Sequence, residues 1–398
     1  MRAPRCCGKV KISGGGRCNV MHDDTKPVKL ISEGYPRGQK QLLGPFARFG
    51  PTQTAEWFKA EGVELKTEQD GRMFPVTDSS QTVIDALMGA ADTAGVQIRT
   101  RCKVEGIDHS VSPEGRRFSV RTVEREADRK GVIECDYLLL ATGSARLSYA
   151  WAKGLGHDLE APVPSLFTFT ISDTLLQGLA GVSVQDAIVS IPSGKPKKPL
   201  TQQGPVLVTH SGVSGPAILR LSAFGARVLH ETDYKTTLKI NWTPEIERGI
   251  EGVVEQVLEA KAKDSAKTVG GASSPTFGLP RRLWQAMVAK VGLKSDAKWG
   301  EVKNSDLRKV AALMCQCQLE VQGKGTFKDE FVTAGGVSLK GVDMKRLESK
   351  SVEGLYFAGE VLDIDGITGG YNFQSAWTTG WTAGRSVAEQ ALSEGDSE

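Results

Sequence analysis

Residues 354–384 read GLYFAGEVLDIDGITGGYNFQSAWTTGWTAG, and they decide the fold. A short apolar run, 355–358, ends at Gly359, and the carboxylate of Glu360 follows at once, placed to accept from sugar-type hydroxyls. Gly369 and Gly370 then open a helix on which Ala376, Gly380 and Gly384 recur four apart. One face of that helix therefore carries almost no side chain and can lie close to another backbone. Helix N-termini favour negative charge. Strand, carboxylate, glycine pair and small-faced helix together predict a ligand site at the carboxyl end of a buried strand, where doubly wound sheets bind cofactors.

A second glycine-dense stretch lies at the other end of the chain, ISGGGRCN at 12–19. Three successive glycines let backbone N–H groups approach a ligand, and Arg17 adds a forked donor suited to phosphate or a planar carbonyl edge. A third segment, YLLLATG at 137–143, is an apolar run that delivers Thr142 and Gly143 to a strand end. Each is common alone: a glycine-rich loop can be a plain turn, and an apolar strand can be plain core.

Between these ends the texture changes. Ser79 and Ser80 can cap a helix with Val83, Ile84, Leu87 and Met88 inward and Gly95 at its end. Residues 96–104, 118–123 and 132–141 then read as strands, a β-α-β order that predicts a sheet with helices on its faces. Residues 162–244 read as a β-rich insert with strand signals at 166–171, 187–191 and 205–209. Residues 245–325 read as its helical part, with helices at 245–261 and 305–315 and a small-residue loop at 268–274. Residues 1–161 and 326–398 would make one discontinuous domain, with the acidic end 394–398 a frayed tail.

Bulk properties narrow the function class. The 398 residues are 39% hydrophobic and 24% charged, with a formal charge of +3. That is a globular composition, and about 150 residues per domain gives two or three domains. Basic and acidic residues are interspersed, so no single-sign field for nucleic acid is expected, and the short basic stretch 195–198 reads as a solvated loop. No apolar run approaches the roughly 20 residues that span a bilayer. Seven cysteines without a CxxC pair predict free thiols in a reducing, intracellular compartment, cytoplasmic by default or organellar if a targeting segment is missing upstream. Cys315 and Cys317 have no further His or Cys to complete a tetrahedral set, so no metal is expected.

The ordered set SGGGRCN at 13–19, GRMFPVTDSS at 71–80, LLLATG at 138–143, THSGVSGPAIL at 209–219, FVTAGGV at 331–337 and GLYFAGEVLDIDGITGGYNFQSAW at 354–377 resembles the BaiN/RdsA-type NAD(P)/FAD-dependent oxidoreductases, the aminoacetone-oxidase-family FAD-binding enzymes. The resemblance implies an α/β fold: a Rossmann-like FAD-binding domain split by a β-rich insert and a small helical module. It places Ser13, Gly14, Gly15, Gly16, Arg17 and Asn19 along FAD, the backbone of Val104 near the adenosine half, and Thr142 and Gly143 toward the pyrophosphate. It further implies that Gly359 and Glu360 hold the ribityl hydroxyls with support from Asp363. Gly369, Gly370, Tyr371, Asn372, Phe373 and Gln374 would meet the pyrimidine end of the flavin. NAD(P)H is the implied electron donor, and the substrate is a small molecule of unspecified identity. His210, Ser214 and Tyr371 are the candidate catalytic residues, the first two on an insert loop that the family places over the flavin.

One departure stands beside the match. The family's first βαβ unit, with its G-x-G-x-x-G turn, would precede Gly8-Lys9, and no other G-x-G-x-x-G occurs in the sequence. The sequence is therefore expected to start late, or else to be a cofactor-poor truncated remnant or an interaction protein. A nicotinamide-only dehydrogenase would lack both its own fingerprint and a use for the Glu360 segment.

Overall fold

The structure, a computed structural model, describes residues 6–23, 25–110, 116–124, 128–194, 198–272, 275–325 and 332–395. The basic stretch at 195–197, the end of the small-residue loop at 273–274, Phe331 and the tail 396–398 lie outside the described residues. The chain divides into two units, Met1–Pro162 with Thr333–Glu398, and Val163–Val332.

The first unit has a Rossmann-like strand pair at its centre. Strand Leu355–Phe357 runs parallel to strand Leu138–Leu140, with Leu355, Tyr356 and Phe357 opposite Leu138, Leu139 and Leu140. Leu355, Tyr356 and Phe357 are all fully buried, as expected of a strand covered on both faces. Strands Glu348–Ser349 and Val342–Asp343 extend the sheet antiparallel beyond Leu355–Phe357, while Leu138–Leu140 is its other terminal strand. The predicted helix forms over Ser80–Thr93, and Ser79 Oγ caps it by accepting from Gln81 N at 3.3 Å. A second apolar cluster, including Phe58, Met73 and Val83, packs around this helix and the small sheet Met21–His22, Arg72–Pro75, Leu65–Thr67.

Several expected elements take another form. The region after the Ser80–Thr93 helix is an antiparallel meander, Cys102–His109, Phe118–Glu124 and Arg129–Cys135, and not a continuation of β-α-β order. Val96 and Ile98 are exposed and outside any strand, since β conformation in water needs a paired neighbour that apolar residues alone do not supply. The run 132–141 splits at Asp136, its first half pairing antiparallel in the meander and its second half parallel to Leu355–Phe357. The small face of the C-terminal helix Tyr371–Gly395 is packed only in part. A Cβ on Gly359 would touch Ala376, but nothing lies within 4 Å of a Cβ built on Gly380 or Gly384.

The second unit is a closed antiparallel barrel in the order Ser183–Ile191, Leu200–Thr209, Gly212–Ser214, Phe169–Ile171, Cys317–Lys324, Thr236–Asn241. Leu166 at φ 60° keeps the expected strand 166–171 from starting before Phe169. Helices Ile250–Lys263, Arg281–Lys290 and Asn304–Cys315 share one apolar core with the barrel, in which Trp242, Trp284 and Trp299 are fully buried. The first of these helices starts later than its pattern predicts because Arg248 and Gly249 both have positive φ. Among the described residues no helix is long and apolar enough to cross a membrane.

Candidate functional site

Two corners of the first unit gather the residues that the sequence singles out. The first lies where the parallel strands end. Ala358 N donates to Leu140 O at 3.1 Å, so the two strands leave the sheet side by side. Gly143 (φ 62°) and Gly359 (φ 72°) turn the chain immediately afterwards, in a conformation that favours glycine. Glu360 stands over Gly143: a Cβ there would lie 3.7 Å from Glu360 Oε2 and 3.9 Å from Lys9 Nζ. Lys9 Nζ itself donates to Glu360 Oε2 at 2.5 Å. Gly359 N donates to Thr379 Oγ1 at 2.9 Å, which ties this turn to the C-terminal helix.

Tyr149 completes that corner. Its hydroxyl is buried and has no hydrogen-bond partner. Burial first, and then the Glu360 and Asp363 carboxylates, push its pKa up to about 12, so it stays a protonated donor. Asp363 is anchored through its backbone, its N–H donating to Val337 O at 3.0 Å. The next residue but one, Asp365, is fully buried and paired with Arg37 through both carboxylate oxygens, which fixes the loop between strand and helix.

The second corner is the Gly369-Gly370 turn. A Cβ on Gly370 would lie 2.4 Å from the Met21 backbone, so the turn rests directly on the strand that follows SGGGRCN. Asn19 is placed as a clasp: with its side-chain NH2 turned toward Met21 O (3.0 Å) and Met73 O (3.3 Å), the orientation its neighbours favour, its oxygen accepts from Gly370 N at 3.1 Å. Tyr371 is buried; its carbonyl accepts from Tyr35 OH at 2.6 Å and its ring stacks on His22 at 4.9 Å. Burial and then the Lys26 ammonium, 3.2 Å from Nε2, hold the His22 pKa below the usual histidine range. The Gly369 backbone, Asp23 and Asp70 oppose that shift, and Nδ1 is buried without a well-formed hydrogen bond.

Other predicted residues have structural partners. Asn372 clasps Gly366, accepting from its N–H at 2.9 Å and donating to its carbonyl at 3.0 Å. Phe373 stacks on Trp377, and the buried Gln374 donates to Thr54 and Thr378. Arg17 is turned toward Glu68 (2.7 Å), Asp78 (3.5 Å) and the face of Phe74 (4.0 Å), so its guanidinium serves its own neighbours. Ser13 Oγ donates to Val10 O at 2.8 Å. Gly14 is required by space, since a Cβ would lie 2.8 Å from Asn19 N, whereas Gly15 and Gly16 face open space. Val104 belongs to the antiparallel meander.

In the second unit, His210 lines an open hollow with Leu176, Gln177, Thr209 and Arg282. Ser214 pairs with Leu207 in the barrel wall. The glycines of the same motif are packing requirements: a Cβ on Gly212 would lie 2.2 Å from Phe169 O, and one on Gly215 2.7 Å from Pro205 O. His22, Tyr35 and Tyr149 enter the corners although no motif marked them, and Lys9 enters from the Gly8-Lys9 segment just before SGGGRCN. Only the closeness of His22 to the SGGGRCN block offered a signal.

The sequence profile of the HI0933-like protein Rossmann domain matches residues 2–386. The ribosomal RNA dihydrouridine synthase of Haemophilus influenzae is 26% identical over 392 residues, 96% of this chain and 90% of that protein. The 3-dehydro-bile acid delta(4,6)-reductase of Clostridium scindens is 28% identical over 390 residues, 96% of this chain and 90% of that protein. A crystal structure of 3-ketosteroid delta1-dehydrogenase from Sterolibacterium denitrificans with 1,4-androstadiene-3,17-dione aligns at TM-score 0.36 and 12% identity, covering 81% of this chain and 65% of that one.

Proposed function

Because the chain belongs to the HI0933-like Rossmann-domain family, a flavoprotein-type oxidoreductase family, we propose that it binds FAD and reduces a carbon–carbon double bond conjugated with a carbonyl, taking hydride from NAD(P)H. The observation that carries the reading is the first corner: the Glu360 carboxylate stands over the bare Cα of Gly143 where two parallel strands end, and the buried, unpartnered Tyr149 hydroxyl feels the charges of Glu360 and Asp363. Open α/β sheets bind their ligands at such a place. Those groups suit a polyhydroxylated, phosphate-bearing cofactor, with Glu360 accepting from hydroxyls, Tyr149 donating, and Gly143 admitting close backbone approach. Gly369 to Tyr371, held by Asn19 and Tyr35, would form the wall at the pyrimidine end.

Bound FAD supplies hydride transfer between donor and substrate. The protein's own residues orient the reactants and manage protons. Hydride added to the far carbon of an enone leaves negative charge on the carbonyl oxygen and calls for a proton at the near carbon. His210, a candidate from the sequence, is a candidate donor of that proton. The relatives' names motivate the bond type: dihydrouridine and a delta(4,6)-reduced bile acid are both products of saturating a double bond. The substrate proposed here is a small-molecule enone.

The test is reconstitution of the protein with FAD, with absorbance and released-flavin analysis, followed by anaerobic oxidation of NADH or NADPH in the presence of a steroid 4-en-3-one or of a uridine-containing RNA. About one FAD per chain and enone-dependent turnover support the proposal. A well-folded protein that takes up no FAD overturns it, and turnover with RNA alone overturns the substrate class.

A further inference from the structure

Lys9, in the Gly8-Lys9 segment, stands in the first corner without a task in the flavin reading above. It lies on the short helix Gly8–Ile12 and reaches Glu360, 351 positions away, with the Lys9 side chain 69% exposed and that of Glu360 18% exposed. An ion pair so open to water is weakly held, because water solvates both charges nearly as well as they solvate each other. It nevertheless places the ammonium close to the bare Cα of Gly143, at the strand end where a cofactor's phosphates would come near the backbone. The carboxylate it covers is the group that the flavin reading needs for the ribityl hydroxyls.

We propose that Lys9 is a binding residue for the diphosphate of the cofactor, and that the Lys9–Glu360 pair is a stand-in that exchanges partners when the cofactor arrives. The ammonium moves from carboxylate to phosphate, and the carboxylate turns from ammonium to hydroxyls. Both charges remain paired throughout, so neither is left desolvated alone. The exchange is specific to a ligand that offers an anion and hydroxyls together. A ligand with hydroxyls alone must compete with Lys9 for Glu360, and a bare phosphate must take Lys9 from Glu360 without giving the carboxylate anything in return. This inference rests on the flavin reading above and adds to it the group that receives the anionic linkage.

Affinity for FAD and for riboflavin, which carries the same ribityl chain without a diphosphate, separates the possibilities. Full-length apoprotein is titrated with each, for wild type, Lys9→Met and Lys9→Arg, by quenching of flavin fluorescence. Lys9→Met is expected to weaken FAD about tenfold, the loss of one charge-assisted contact. It should leave riboflavin within about twofold or bind it more tightly, because Glu360 is released. Lys9→Arg should retain FAD affinity within about threefold, since a guanidinium also serves phosphate. Equal losses for FAD and riboflavin in Lys9→Met would show that Lys9 only holds Glu360 in place, and unchanged FAD affinity would show that it meets no phosphate. Either result overturns the proposal. Wild-type protein that binds neither ligand fails at the flavin reading itself and takes this inference with it.

Discussion

Glu360 and Asp363 stand three residues apart on one loop, but only Glu360 lies over Gly143 at the strand ends. Asp363 is held through its backbone N–H to Val337 and shares with Glu360 its influence on Tyr149. Glu360→Ala is therefore expected to weaken FAD binding by about 1.5–3 kcal/mol, a charge-assisted hydrogen bond, and Asp363→Ala by less. Titration of both apoproteins measures this, and equal or reversed losses would mean that the two carboxylates have exchanged tasks. His22 supplies a pH prediction. Its folded-state pKa is lowered, so the unfolded chain takes up the proton first. Stability is then complete above the ordinary histidine pKa of about 6.5 and declines as pH falls through the lower folded value. His157, lowered by burial, adds to the same trend. Denaturant midpoints at pH 7.5 and 5.5 should differ less in His22→Gln than in wild type; an unchanged difference would assign the whole effect to other groups.

Two elements carry the site, and each has a point of failure. The C-terminal helix begins only because Gly369 and Gly370 adopt φ of 104° and 93° against the Met21 backbone. Gly370→Ala combines that strained backbone with a Cβ that has no room, and it should destabilise by about 1–3 kcal/mol in urea unfolding. Gly380→Ala, facing open space, should be neutral or stabilising by about 0.5–1 kcal/mol, so a large loss there would contradict the packing described. The terminal strand Leu138–Leu140 is the other element. Leu139 is 39% exposed, and among the described residues its strand is paired on one side only, an apolar edge open to further strand pairing. Leu139→Lys should reduce self-association in light scattering with little change in unfolding midpoint, whereas association that persists would place the contact elsewhere.

At the scale of the molecule each unit has apolar clusters of its own. The barrel unit closes its sheet on itself, leaving no open edge, and buries three tryptophans between barrel and helices. The first unit divides its apolar residues between a cluster around the parallel strands and another around the Ser80–Thr93 helix. Limited proteolysis should therefore cut first within the first unit and leave a resistant fragment close to 163–332, identified by mass. Early cleavage within the barrel strands would show that its closure confers no independent stability.

Local patterns determined much of this. The carboxylate after a buried apolar strand, the glycine pair at a helix start, the Ser79 cap and the helices Ser80–Thr93 and Asn304–Cys315 each depend on a few neighbouring residues, and they form where the pattern puts them. The family follows from the same segments taken in order. What tertiary structure alone decided is which groups meet across sequence distance. Lys9 reaches Glu360, Asn19 meets the Gly370 turn, the buried Tyr149 hydroxyl comes under the influence of two carboxylates, and Arg17 pairs with Glu68. Strand pairing was hidden for the same reason. An apolar alternating run states that it can be a strand but not whether a neighbour stands beside it, so Leu138–Leu140 became one and the segment at Val96 and Ile98 did not.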